Sequence, residues 1–295
     1  MPNYAEQDNL AAVDKKEIQQ NVDLSLAITR RLLQMIGLWP YATYSKVWRM
    51  LLIALVSFVL MFVAVPAALY VAIVVNDLEM RLQLLGPLSF VCMNIFKYFA
   101  VLFQEDQLEQ CIERITNDWR MVCSQMKNYL MRENVKYAKS FTTVCVTCTY
   151  MGVMSYGMFF SFVMDPIIVG NNTYRIFAFP SHFIFFNSFD YFKLIYTIQM
   201  MCVFALCTIT LSVESIGISC AMHICGQINV IAWIMRSLAA DTFDKASFGR
   251  IVEKHLRAIA FAKELENFLN GMCFVEFVGS CFNICMLGYY MIMAR

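Results

Sequence analysis

MLLIALVSFVLMFVAVPAALYVAIVV, residues Met50–Val75, runs for 26 residues without a charged side chain. As a helix rising about 1.5 Å per residue, it is longer than the roughly 30 Å hydrocarbon core of a bilayer. Four more stretches read the same way: Leu82–Phe103, Phe141–Met164, Leu194–Ile224 and Met272–Ala294. Each has at least 22 residues, enough to cross, since a spanning helix needs about 20. With 60% apolar and 15% charged residues, the chain is expected to be an all-α, polytopic membrane helix bundle of five spans.

Basic residues between the spans set the orientation. The N-terminal segment has six (Lys15, Lys16, Arg30, Arg31, Lys46, Arg49), and the first connection has only Arg81. The second has six (Arg114, Arg120, Lys127, Arg132, Lys136, Lys139), the third two (Arg175, Lys193) and the fourth six (Arg236, Lys245, Arg250, Lys254, Arg257, Lys263). This alternation places the N-terminus in the cytoplasm under the positive-inside rule. The sequon Asn171-Asn172-Thr173 then falls outside, where Asn171 can be glycosylated. A net charge of +1 gives no reason to expect a nucleic-acid partner.

The expected organisation is a cytoplasmic segment, 1–46, followed by a transmembrane bundle, 47–295. The spans are about 50–75, 82–103, 141–164, 194–224 and 272–294, with cytoplasmic helical extensions at 105–139 and 226–270 and an outer loop at 165–193. In the N-terminal segment, Leu26, Leu32, Leu33 and Ile36 make a stripe opposite Arg30 and Arg31, suited to a helix on the inner membrane surface. Gly37-Leu38-Trp39-Pro40 ends it. Leu108, Ile112, Ile115, Trp119, Val122, Met126 and Leu130 recur at helical spacing, as do Ile251, Ala258, Ala262, Leu265, Leu269 and Met272. Each stripe is either the packed face of a solvated helix or an assembly surface. The outer loop, with Phe177, Phe179, Pro180, Phe183, Phe185, Phe186 and Phe189, is too aromatic for a free linker and is expected to fold back as a lid.

No chemistry of an enzyme is legible. His182, His223 and His255 are scattered, no phosphate loop or nucleophile elbow appears, and neither catalytic residue, metal nor cofactor is expected. Cys145-x-x-Cys148 lies inside a span without a neighbouring His or acid and reads as packing. No cysteine of the twelve falls in an outer loop, so no disulfide is expected. Lys97, Glu214 and Glu276 are the charges within spans. Snorkelling to the interface is the favoured account of Lys97 and Glu276, and an ion pair between Lys97 and Glu214 is the sharper one. The outer halves of spans two, three and four offer Val91 and Cys92, then Met154, Met158 and Phe162, then Tyr196, Gln199, Met200 and Val203. Met154 and Met158 share a helix face. Such a face suits either ordinary packing or a pocket for a small volatile or lipophilic molecule.

From about Asp23 to Met293 the chain resembles the insect odorant receptors. Gly37-Leu38-Trp39-Pro40 and the aromatic outer loop running into Tyr191 and Tyr196 carry part of the likeness. The firmest part begins at Ile251 and comprises His255, Ala258, Phe261, Ala262, Leu265, Glu266, Phe268, Ser280, Ile284, Cys285 and Gly288. Glu276 stands where that family more often has a neutral Gln. The resemblance implies a multi-pass plasma-membrane protein of a sensory dendrite, N-terminus inside, that binds odorants among the outer halves of helices two, three, four and six. It also implies a hetero-oligomer, expected to be a tetramer, with a co-receptor subunit, forming an odorant-gated cation channel whose pore is lined by a seventh helix. Five spans against seven read as a fragment, expected not to conduct alone. A gustatory receptor shares this architecture and is the alternative. A G-protein-coupled receptor would need an external N-terminus, and a transporter would be expected to show internal repeats and midplane charges.

Overall fold

The computed structural model describes residues 4–42, 44–121, 125–163, 167–169, 172–174, 179, 191–240 and 245–293. Seven α-helices are present among them: α1 (Tyr4–Met35), α2 (Lys46–Leu69), α3 (Leu78–Phe103), α4 (Glu105–Arg120), α5 (Gln125–Val163), α6 (Phe192–Ala240) and α7 (Lys245–Met293). A π-helical turn, Tyr70–Val74, extends α2. Two three-residue strands, β1 (Ile167–Val169) and β2 (Asn172–Tyr174), pair antiparallel with Ile168 opposite Thr173. The expected all-α membrane architecture is the one observed, with this short ribbon its single β feature among the described residues.

Lys46–Val74, Leu78–Phe103, Phe192–Leu238 and Phe248–Tyr289 are long and apolar enough to cross a membrane. The third apolar stretch of the sequence belongs to α5, one continuous helix of 39 residues. Helices α6 and α7 each have 49 residues, about 74 Å at the α-helical rise, more than twice a bilayer core.

The chain divides into two compact units. The first comprises residues 1–31, 104–144 and 212–270. Its core is built by the α4 stripe, where Leu108, Ile112, Ile115 and Trp119 are all buried. The expected continuation of that stripe through Val122, Met126 and Leu130 does not hold. Helix α4 stops at Arg120, Val122 lies outside the described residues, and Met126 is exposed. Helix α5 restarts the phase and buries Met131, Val135 and Ala138 instead. The α7 stripe is also rotated from expectation. Phe261 and Phe268 are buried beside Ile251, Ala258 and Leu265, while Ala262 is exposed. Large rings displace a small neighbour from the core because they bury more apolar surface. One buried chain of polar contacts runs through this unit: Trp119 Nε1 donates to Ser25 Oγ at 3.1 Å, and Ser25 donates to the Asn21 carbonyl at 2.8 Å.

The second unit comprises residues 32–103, 145–211 and 271–295. Here α1 ends in a Schellman motif. Leu38 N–H donates to the Leu33 carbonyl at 2.8 Å and Gly37 N–H to the Gln34 carbonyl at 3.3 Å. Gly37 has φ of 77°, a left-handed conformation that glycine adopts without the steric penalty of a Cβ. Leu33 and Leu38 are buried together with Trp39, as the motif's apolar contact requires. The turn is fixed from two further elements: Arg49 Nε donates to the Gly37 carbonyl at 3.1 Å, and Tyr98 Oη to the Ile36 carbonyl at 3.2 Å.

Candidate functional site

Within the second unit, helices α3, α6 and α7 line an open cavity of about 620 Å³. Drug-sized ligand sites run from about 300 to 1,000 Å³, so a small molecule fits. From α3 the wall is made by Leu82, Gln83, Gly86, Pro87 and Phe90, with Val203 from α6 and Asn283, Met286 and Leu287 from α7. Phe179 of the outer loop completes it. Among the described residues, Gln83 and Asn283 alone contribute polar side chains to it; the others are apolar surface that rewards burial of a lipophilic guest.

Sequence explains the shape on the α3 side. Gly86 has no side chain to fill the space, and a Cβ there would come within 3.4 Å of Asn283 Oδ1. Pro87 has no N–H, so the Gln83 carbonyl loses its helical donor. Ser89 Oγ lies 2.7 Å from the Gly86 carbonyl and 2.9 Å from Asn283 Oδ1. A hydroxyl carries one proton and donates to one acceptor at a time. When that proton goes to Gly86, Asn283 can turn its NH₂ toward Ser89 and offer its oxygen elsewhere.

Phe179 is held by Gln199 of α6 through two bonds. Phe179 N–H donates to Gln199 Oε1 at 3.1 Å, and Gln199 Nε2 donates to the Phe179 carbonyl at 2.8 Å. Gln199 is buried, 1% exposed, so a single side chain supplies both partners that the loop backbone needs in an apolar setting. Further along α3, Thr210 Oγ1 donates to Asn94 Oδ1 at 2.6 Å. One turn beyond, Lys97 forms an ion pair with Glu276 of α7.

The family model for the 7tm odorant receptors matches residues 77–295. The chain belongs to the odorant receptor family. Two solved structures have the same fold. One is the insect olfactory receptor OR5 from Machilis hrabei, with a TM-score of 0.69 at 12% identity, over 90% of this chain and 70% of that one. The other is the same receptor in complex with eugenol, with a TM-score of 0.73 at 13% identity, over 94% and 71% respectively. No curated protein matches the chain. This odorant receptor family member is therefore a multi-pass membrane protein, as the expected resemblance and span pattern had it.

Of the residues expected to form a pocket in this receptor, the structure brings few to the cavity. Val203 lines it, and Gln199 reaches it through Phe179. Val91 is fully buried, Cys92 is exposed on the same helix, and Met154 is 40% exposed. Tyr196 stacks on Phe192 with ring centroids 5.9 Å apart, and Met200 is half-buried. The side chains of Met158 and Phe162, and Asn171, lie outside the described residues. Snorkelling is overturned for Lys97, whose side chain is 3% exposed and paired inside the protein. Within this unit its carboxylate partner is Glu276. The missed wall residues left a signal: Leu82, Gly86 and Phe90 share an i, i+4, i+8 face, and Asn283 is a lone amide in the last span.

Proposed function

We propose that this odorant receptor subunit binds a small lipophilic volatile in the cavity of α3, α6 and α7, with Phe179 as its cover. The supporting observation is the apolar wall interrupted by the Asn283 amide beside Ser89. That chemistry suits a guest with one hydroxyl or carbonyl on a hydrocarbon body, bound by burial and oriented by one hydrogen bond. The Machilis hrabei receptor of the same fold is solved with eugenol, a small phenol. In this reading Gln199 positions the cover.

The subunit is proposed to sit in the plasma membrane of a sensory dendrite with its N-terminus inside and Asn171 outside, glycosylated. It is proposed to work with a co-receptor subunit in a tetrameric, odorant-gated cation channel. The supporting evidence is family membership.

Binding of eugenol and a panel of small alcohols and esters to the purified chain in nanodiscs tests the cavity. Gly86→Leu should fill the space and lower the affinity of any saturable ligand by at least about tenfold, the effect of losing some 1.4 kcal/mol, with helix content unchanged. Equal binding by this variant would show that odorants sit elsewhere.

A further inference from the structure

A second cavity in the first unit has a different chemistry. About 60 Å³ of space in a partly open pocket is lined by α4, α5, α6 and α7, and Lys127, Lys254 and Arg257 all face it. Lys127 and Lys254 are half-buried, and neither has an ion-pair or hydrogen-bond partner among the described residues. Unpaired cations withdrawn from water are costly, and proteins ordinarily supply a counter-charge. Among the described residues, the carboxylates nearest the cavity have other partners. Asp118, on the inner wall, pairs with His223 Nε2 at 3.2 Å and accepts Gln227 Nε2 as well. Glu253 is 3.9 Å from Arg257 Nε on the exposed side of α7. Arg257 Nη1 also reaches across to the Met121 thioether, a weak acceptor, at 3.0 Å. Beside the cations, Met121, Met131, Val230 and Ile231 form an apolar floor.

We propose that this cavity is a binding site for a phosphomonoester group. Lys127 and Lys254, the two half-buried cations without a partner among the described residues, match an anion carrying close to two negative charges. A water molecule needs about 10–15 Å³ of such space, so the cavity holds several heavy atoms, the size of one phosphate. The apolar floor accepts the carbon skeleton that bears it. That group can come from a membrane lipid headgroup or from a soluble phosphate ester. The proposal is independent of odorant binding, because no residue is shared between the two cavities.

The test uses the full chain in nanodiscs of neutral lipid. Soluble inositol trisphosphate is titrated by thermophoresis, and in a separate arm the discs are doped with phosphatidylinositol bisphosphate or, as a control, with phosphatidylserine at equal charge. Thermal stability is the readout of the lipid arm. Binding in the soluble arm identifies a free phosphate ester as sufficient, and a response to the bisphosphate lipid alone identifies a headgroup site. In either case Lys127→Ala with Lys254→Ala should weaken the response at least about tenfold, the scale of lost charged hydrogen bonds. The pair Lys127→Arg with Lys254→Arg should retain it, which separates lost binding from lost folding. No response in either arm, a phosphatidylserine response equal to that of the bisphosphate, or an unchanged response in the alanine variant would overturn the proposal.

Discussion

The ion pair of Lys97 and Glu276 carries the most specific energetic consequence. Its two members are unequally placed: the Lys97 side chain is 3% exposed and that of Glu276 is 36% exposed. Removing one partner of a buried pair leaves the other charge uncompensated, at about 3–5 kcal/mol when that charge is fully enclosed. Glu276→Leu strands the enclosed ammonium and should cost the full amount. Lys97→Met strands a carboxylate with a third of its surface open, so its cost should be smaller, about 1–3 kcal/mol. Replacing both, Lys97→Met with Glu276→Leu, removes the desolvation penalty together with the attraction and should come back to within about 1 kcal/mol of wild type. Denaturant unfolding of all four proteins in the same mixed micelles gives the double-mutant cycle. A double variant as unstable as the sum of its singles would refute the pairing, and Lys97→Met costing more than Glu276→Leu would refute the burial argument.

Gly279 lies where a Cβ would fall on the Met93 thioether of α3. Met93 is buried, so Gly279→Ala should destabilise by about 1–3 kcal/mol through overpacking, and Met93→Ala in the same chain should restore part of it, measured by the same unfolding assay. Ser25→Ala should cost about 1–3 kcal/mol by leaving the buried Trp119 indole N–H without its acceptor, visible as a lowered unfolding midpoint and a changed tryptophan emission. Gln199→Leu strips the Phe179 backbone of both partners. A ligand under that cover should then leave about tenfold faster in a dissociation time course, with the fold intact.

The architecture was legible because it depends on properties the chain carries locally. Apolar length and flanking charge set the spans, and Gly37 followed by Leu38 announced a helix stop that the structure realises as a Schellman turn. Stripes were legible only while the helix was unbroken: a stop at Arg120 cannot be read from a periodicity that continues through Leu130 on paper. Contacts between distant segments were hidden for a similar reason. Depth alone groups Lys97 with more than one carboxylate, and the packing of α3 on α7 is what brings it to Glu276. The cavity shows the same limit. Met154 and Met158 mark a helix face, but a face becomes a wall only when a neighbour leaves space, and the space here is left by Gly86 and Pro87.

Where an odorant sits is settled most directly by photolabelling. A diazirine analogue of eugenol, irradiated on the purified chain in nanodiscs and mapped by mass spectrometry, should modify the peptides holding Leu82–Phe90 and Asn283–Leu287, with excess eugenol suppressing the label. Competed labelling confined to the segments holding Met154, Tyr196 and Met200, with none on those two, would contradict the account.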